Sequence, residues 1–267
     1  MLAVLGYLIA DRLVRVLPIG IADRIALALA GLVFAVRPPA RAALEANLAR
    51  LMPGAAPAAR RAMTREAFDH FALSLLDFLR LGRLDERTLA EAIEVRGAEH
   101  LERARATGRG VILLSAHLGN WEWGAAWLAA RGERVSLVAR PHPHPWVEGF
   151  FARRRLAHGV GVLRERPLWP GAARALRLRE WVALMGDRCC SEGSAWAWAA
   201  ALARRTGAVV LPAVMLRLAP GRYAACFDPP LTPEACARGA HRAAIHRQLE
   251  RNPGQWFGFE PLPDGLA

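Results

Sequence analysis

Lysine is absent from this 267-residue chain, so all 36 basic residues are arginine; against 24 acidic residues they leave a formal net charge of +12. The four cysteines, Cys189, Cys190, Cys226 and Cys236, lack the Cys-x-x-Cys spacing of zinc or redox sites, and a metal site is not expected. Neither a cleavable signal peptide nor a low-complexity linker is evident, so reduced thiols in a cytosol-facing protein are expected. No Gly-x-Ser-x-Gly elbow occurs, which sets aside a serine hydrolase. The arginines are scattered and accompany no nucleic-acid motif, so the positive field points instead to anionic lipid headgroups, phosphorylated substrates or an acidic carrier protein.

Long uncharged runs are missing too. The first 36 residues are mostly apolar, yet Asp11, Arg12, Arg15, Asp23 and Arg24 interrupt them, and the longest uncharged run, residues 25–36, falls short of the ~18 residues of a spanning helix. This segment reads as amphipathic helices lying in a membrane interface, ended by Pro38-Pro39. Its removal is expected to release the remainder from membranes. The overall mean hydropathy of +0.14 is high for a freely soluble protein. Residues 1–40 are therefore expected to form a membrane-associated helical segment, and residues 41–267 a single α/β domain.

The informative stretch is residues 110–127. Val111-Ile112-Leu113-Leu114-Ser115 is a short apolar run with β-branched residues at its start, which predicts a buried strand. His117 stands at its C-terminal mouth. Asn120 is a suitable N-cap for a helix starting at Trp121, and Glu122 falls in that helix's first turn, where free backbone N–H groups favour a carboxylate. Val135–Ala139 and Trp181–Met185 read as further strands. They place Arg140 and Asp187 at strand ends, where open α/β sheets carry their chemistry. Phe68, Phe71, Leu75 and Phe78 recur at helical spacing and make one apolar face, either core or the wall of a groove.

The string Ser115-Ala116-His117-Leu118-Gly119-Asn120-Trp121-Glu122 resembles the His-x4-Glu/Asp block of bacterial lysophospholipid acyltransferases, above all the late acyltransferases of lipid A biosynthesis. Arg140-Pro141, Asp187 and the closing Pro253-Gly254-Gln255-Trp256 are similar to later blocks of that family, in the same order. The resemblance implies an α/β fold with a mixed central sheet flanked by helices. It also implies transfer of an acyl chain from an acyl carrier protein or coenzyme A thioester to a hydroxyl of a membrane glycolipid, at the cytoplasmic face of the inner membrane and without a cofactor. A lipid A precursor is the expected acceptor, with a phosphatidylinositol mannoside, a glycerophospholipid or a secondary-metabolite lipid as alternatives; a catalytically silent membrane-binding relative is the other reading.

On the same grounds His117 is expected to act as base, oriented by Glu122, with Arg140 offsetting negative charge and Asp187 positioning groups around the site. Asn120, Trp121 and the triplet Arg153-Arg154-Arg155 are expected to contact substrate, headgroup or carrier. The glycine- and phenylalanine-rich loop that usually follows the aspartate is shortened here to Cys189-Cys190-Ser191-Glu192-Gly193-Ser194.

Overall fold

The computed structural model describes residues 2–164, 168–187, 189–190 and 193–262. Two helices, α1 (Leu2–Val16) and α2 (Ile19–Val36), separate at Pro18 and are followed by α3 (Pro38–Leu51) and the long α4 (Pro57–Leu81). Then α5 (Glu86–Glu91), β1 (Ile93–Arg96) and α6 (Ala98–Ala106) lead into β2 (Val111–Ser115). Strands and helices alternate from there: α7 (Trp121–Ala130), β3 (Val135–Ala139), α8 (Pro145–Ala157), β4 (Gly161–Arg164), α9 (Leu168–Arg177) and β5 (Trp181–Met185). A small hairpin, β6 (Cys189–Cys190) and β7 (Gly193–Ser194), precedes α10 (Ala195–Thr206), β8 (Val209–Ala219) and β9 (Arg222–Phe227). Two helices follow, α11 (Pro233–Ala237) and α12 (Ala240–Arg251), parted where Gly239 takes a left-handed φ of 86°.

Seven strands form one mixed sheet in the order β1-β9-β8-β2-β5-β3-β4. The neighbours of β2 on both sides run parallel to it, whereas β9 is antiparallel to β8. Every residue of β2 is buried, which accounts for its unbroken apolar run. Val111 and Leu113 pack with Trp123 and Trp127 of α7, while Ile112 and Leu114 pack on the other face with Leu202 of α10 and Leu249 of α12.

The N-terminal helices lie on α4. Helix α2 is 18 residues long and apolar enough to cross a membrane, so the uncharged run underestimated the helix that contains it. Its buried stripe consists of Ala22, Ala26 and Ala30 with Asp23, whereas Ile21, Ile25, Leu29, Leu32 and Val36 are exposed. That inverts the pattern of a soluble core helix, which buries its large side chains.

Charges bind this layer to the rest. Asp23 pairs with Arg80 of α4 at 2.8 Å. Asp77, fully buried, accepts hydrogen bonds from Arg80 at 2.8 Å, from Arg217 of β8 at 2.9 Å and from the Tyr223 hydroxyl of β9. Burial, reinforced by the Asp77 charge, pushes the Tyr223 phenol well above its usual range, so it remains a donor. On the other flank Arg154 of α8 pairs with Asp11 of α1 and donates to the Leu79 carbonyl at 3.0 Å. Removing residues 1–36 would strip Asp11 and Asp23 from these arginines and uncover Leu76 and Leu79. Loss of solubility is therefore the expected result of that truncation, rather than clean release from membranes.

Candidate active site

Ser115 and Met185 are register partners on the adjacent parallel strands β2 and β5. His117 and Asp187 each lie two residues beyond, so the sheet itself brings them together. His117 Nδ1 is 2.9 Å from Asp187 Oδ1, and the His117 backbone N–H donates to the same oxygen at 3.0 Å. The indole N–H of Trp256 donates to Asp187 Oδ2 at 2.8 Å. A carboxylate that receives these donors acts as an acceptor toward the imidazole, so in the neutral ring the proton sits on Nδ1 and the lone pair on Nε2. Asp187 is 1% exposed and the His117 side chain 19%, so the carboxylate is sealed in while the imidazole keeps an opening.

The segment after β2 is held from both sides. Gly119 has a φ of 64°, and a Cβ there would run into the Met215 carbonyl oxygen, so glycine is required. The N–H of Asn120 donates to that same carbonyl at 2.8 Å, and the N–H of Gly119 to the Gln255 carbonyl at 3.0 Å. Phe257 N–H closes the strap by donating to the His117 carbonyl at 2.8 Å. Gln255 itself is clamped to Arg217, its side chain accepting from the Arg217 N–H and donating to the Arg217 carbonyl. The closing Pro253–Trp256 block thus fixes both the loop that carries His117 and the carboxylate that orients it. No local pattern in the sequence marks Trp256 for this role; the similarity of its block to the family is the one signal of it.

Asn120 caps α7 as expected, its side chain accepting from the Trp123 N–H. It also donates to the Ser74 carbonyl at 3.1 Å and to the Tyr223 hydroxyl at 3.2 Å, deep in the protein, and is 3% exposed. Trp121 meets the His117 ring edge-on at 5.1 Å between centroids and also borders Phe257.

Glu122 does not orient His117. From the first turn of α7 it faces α8, where Arg155 Nε and Nη2 donate to its carboxylate at 3.0 and 2.6 Å. Burial works against the Arg155 charge, but the hydrogen bonds and charge of Glu122 outweigh it and hold the guanidinium's pKa above its ordinary value. This also corrects the reading of Arg153-Arg154-Arg155 as one docking face. Arg153 is exposed, but Arg154 turns inward to Asp11 and Arg155 is buried on Glu122. Consecutive helical residues point 100° apart, so three in a row cannot share a face.

Arg140 follows β3 directly and is exposed. With β5 between β2 and β3, its strand end lies about 10 Å from that of β2. His142 stacks on Phe151 at 4.5 Å, and burial pushes its pKa below the usual value. His144 caps α8, accepting from the Trp146 N–H at 3.2 Å. Among the described residues no three His, Cys, Asp or Glu side chains gather as a metal site.

A cavity of about 170 Å³ lies beyond Trp121, the residue whose ring meets His117. Trp121, Gly119 and Phe257 form its wall on the histidine side, Glu122, Arg155 and His142 form a polar side, and Phe71 and Leu75 of α4 form an apolar one. The cavity thus offers a fixed guanidinium and an apolar floor, with Trp121 standing between it and the His117 ring.

Residues 2–262 match the family described as bacterial lipid A biosynthesis acyltransferase. A phosphatidylinositol mannoside acyltransferase of Mycolicibacterium smegmatis is 30% identical over 190 residues, which cover 69% of this chain and 61% of that protein. The phosphatidylinositol mannoside acyltransferase of Mycobacterium tuberculosis strain H37Rv is 30% identical over 155 residues, 54% of this chain and 48% of that protein. The chain thus spans between about half and three-fifths of the length of these curated relatives. With the family match running almost from end to end and over every element of the site, the chain belongs to the bacterial lipid A biosynthesis acyltransferase family.

Proposed function

We propose that the protein transfers a fatty acyl chain from an acyl thioester to a hydroxyl of a membrane glycolipid. The observation that carries this reading is the His117–Asp187–Trp256 arrangement at the ends of β2 and β5. His117 Nε2 removes the proton from the acceptor hydroxyl as its oxygen attacks the thioester carbonyl, and Asp187 stabilises the imidazolium that forms. Collapse of the tetrahedral intermediate breaks the carbon–sulfur bond. The imidazolium proton then passes to the departing thiolate, which restores neutral His117. Arg140, at the same edge of the sheet, offsets charge on the developing oxyanion or on a donor phosphate.

A lipid A precursor is the acceptor that the family's description favours. The similarity to phosphatidylinositol mannoside acyltransferases favours a mannosylated inositol lipid as a second reading. Purified protein, supplied with a radiolabelled acyl thioester on acyl carrier protein or coenzyme A, is expected to form an ester on one of these two glycolipids. Acylation of glycerophospholipids alone, or release of free fatty acid alone, would overturn the glycolipid assignment.

The reading places the protein on the cytoplasmic face of the inner membrane, where thioester donors are made, with the exposed face of α2 in the bilayer and arginines at its anionic surface. Because α2 lies along α4 from Asp23 to Phe34, whose ring meets Phe68 at 5.3 Å, it is attached to the protein at both ends and rests in the interface. Replacing Ile21, Leu32 and Val36 with serine should move the protein to the soluble fraction while leaving thermal unfolding unchanged, since all three are exposed. Unaltered pelleting with membranes would assign attachment to another surface.

A further inference from the structure

Helix α4 shows an apolar face toward α1 and α2 that the proposed chemistry does not use. Between these helices lies a groove of about 270 Å³, and every side chain lining it is apolar. The small residues Ala26 of α2 and Ala72 of α4 leave the space open, and Leu29 and Val33 form its rim. We propose that this groove seats a hydrocarbon chain of the acceptor lipid, which enters sideways from the bilayer and brings its headgroup to His117. The inference rests on the reading of the acceptor as a membrane lipid.

Three observations support a lipid chain as the occupant. The lining offers no polar partner, so a peptide segment would leave its backbone N–H and C=O groups unpaired there, whereas a hydrocarbon chain has none to satisfy. The rim residues Leu29 and Val33 are 56% and 43% exposed, so the mouth opens in the apolar face of α2 and not in a charged surface. Finally, Phe71 and Leu75 line both this groove and the cavity bounded by Trp121, whose ring meets His117, so the groove borders the space that leads to the site. The mouth also separates the two substrates: a lipid reaches it from within the bilayer, while a thioester on a water-soluble carrier approaches from the aqueous side.

The test fills the groove from opposite walls with Ala72→Phe and, at the exposed rim, Leu29→Trp. Each methylene denied burial lowers affinity about fourfold, so excluding two raises the apparent KM for the intact glycolipid by about tenfold or more. Transfer to the same headgroup stripped of its chains should be unchanged, because that acceptor never used the groove. An unchanged KM for the glycolipid in both variants would overturn the proposal, and so would equal losses with the stripped acceptor.

A second measurement does not depend on turnover. Phosphatidylglycerol vesicles doped with a lipid carrying a diazirine at its chain terminus are irradiated with wild-type protein and with His117→Ala. Label on Leu29, Ala72 or Leu76 in both proteins, lost in Ala72→Phe, supports the groove even if the acyl-transfer reading fails. Label confined to Ile21 and Leu32 on the outer face of α2 would overturn it.

Discussion

Asp187→Asn is expected to reduce acyl transfer by about 10⁴-fold, with a smaller change in KM than in kcat, because it turns the imidazole's proton to the wrong nitrogen. The carboxylate accepts from His117 Nδ1–H and from the Trp256 indole. An amide of the same shape has one acceptor oxygen, and its NH2 group toward His117 would require a lone pair on Nδ1. The proton would then sit on Nε2, where the base must be free. His117→Ala removes the proposed base altogether and should cost about 10²–10⁴-fold. Both effects are read from initial rates with a fixed thioester donor, normalised to folded protein. A loss below tenfold in either variant would remove the pair from the chemistry.

Glu122→Ala should act differently, through stability. It leaves Arg155, 9% exposed and held by Glu122 through two short hydrogen bonds, as a buried charge without its partner, at a cost of about 3–5 kcal/mol. The expected result is a fall in the thermal unfolding midpoint, with transfer reduced in step with the folded fraction. The double replacement Glu122→Leu with Arg155→Met removes both charges and should recover most of the lost stability, since a packed apolar pair often matches a buried ion pair. The sequence alone suggested the reverse, a folded protein without activity, because it assigned Glu122 to His117. A Glu122→Ala protein that unfolds like wild type yet transfers no acyl group would restore that assignment.

These two carboxylates show what sequence can and cannot convey about this site. Strand β2, the Asn120 cap, α7, β3 and β5 were legible because each is specified locally, by an apolar run or by a cap at the right spacing. His117 and Asp187 were both recognisable as residues beyond strand ends. Their partnership depends on β2 and β5 being neighbours, which is a property of sheet order and has no local signature. Glu122, five residues from His117, looked like the nearer partner, but helix α7 begins between them and its first turn points the carboxylate at α8. Arg154 and Arg155 are hidden from sequence for a related reason: a run of charge looks like a surface, and only the packing of α8 against α1 and α7 shows two of the three to be internal. The N-terminal segment was legible as apolar and interrupted by charge. Asp11 and Asp23 turn out to be paired internally, with Arg154 and Arg80, so they mark contact with the rest of the protein and do not cut the helices short.

The central claim, that Asp187 and not Glu122 sets the tautomer of His117, can be tested by proton NMR of protein labelled with ¹⁵N-histidine in detergent micelles. The Nδ1–H resonance of His117, assigned by its disappearance in His117→Ala, should lie downfield in the wild type and persist in the Glu122→Leu, Arg155→Met double variant. It should vanish in Asp187→Asn, with a new Nε2–H signal in its place. Loss of the resonance in the Glu122 variant and survival in Asp187→Asn would contradict the account.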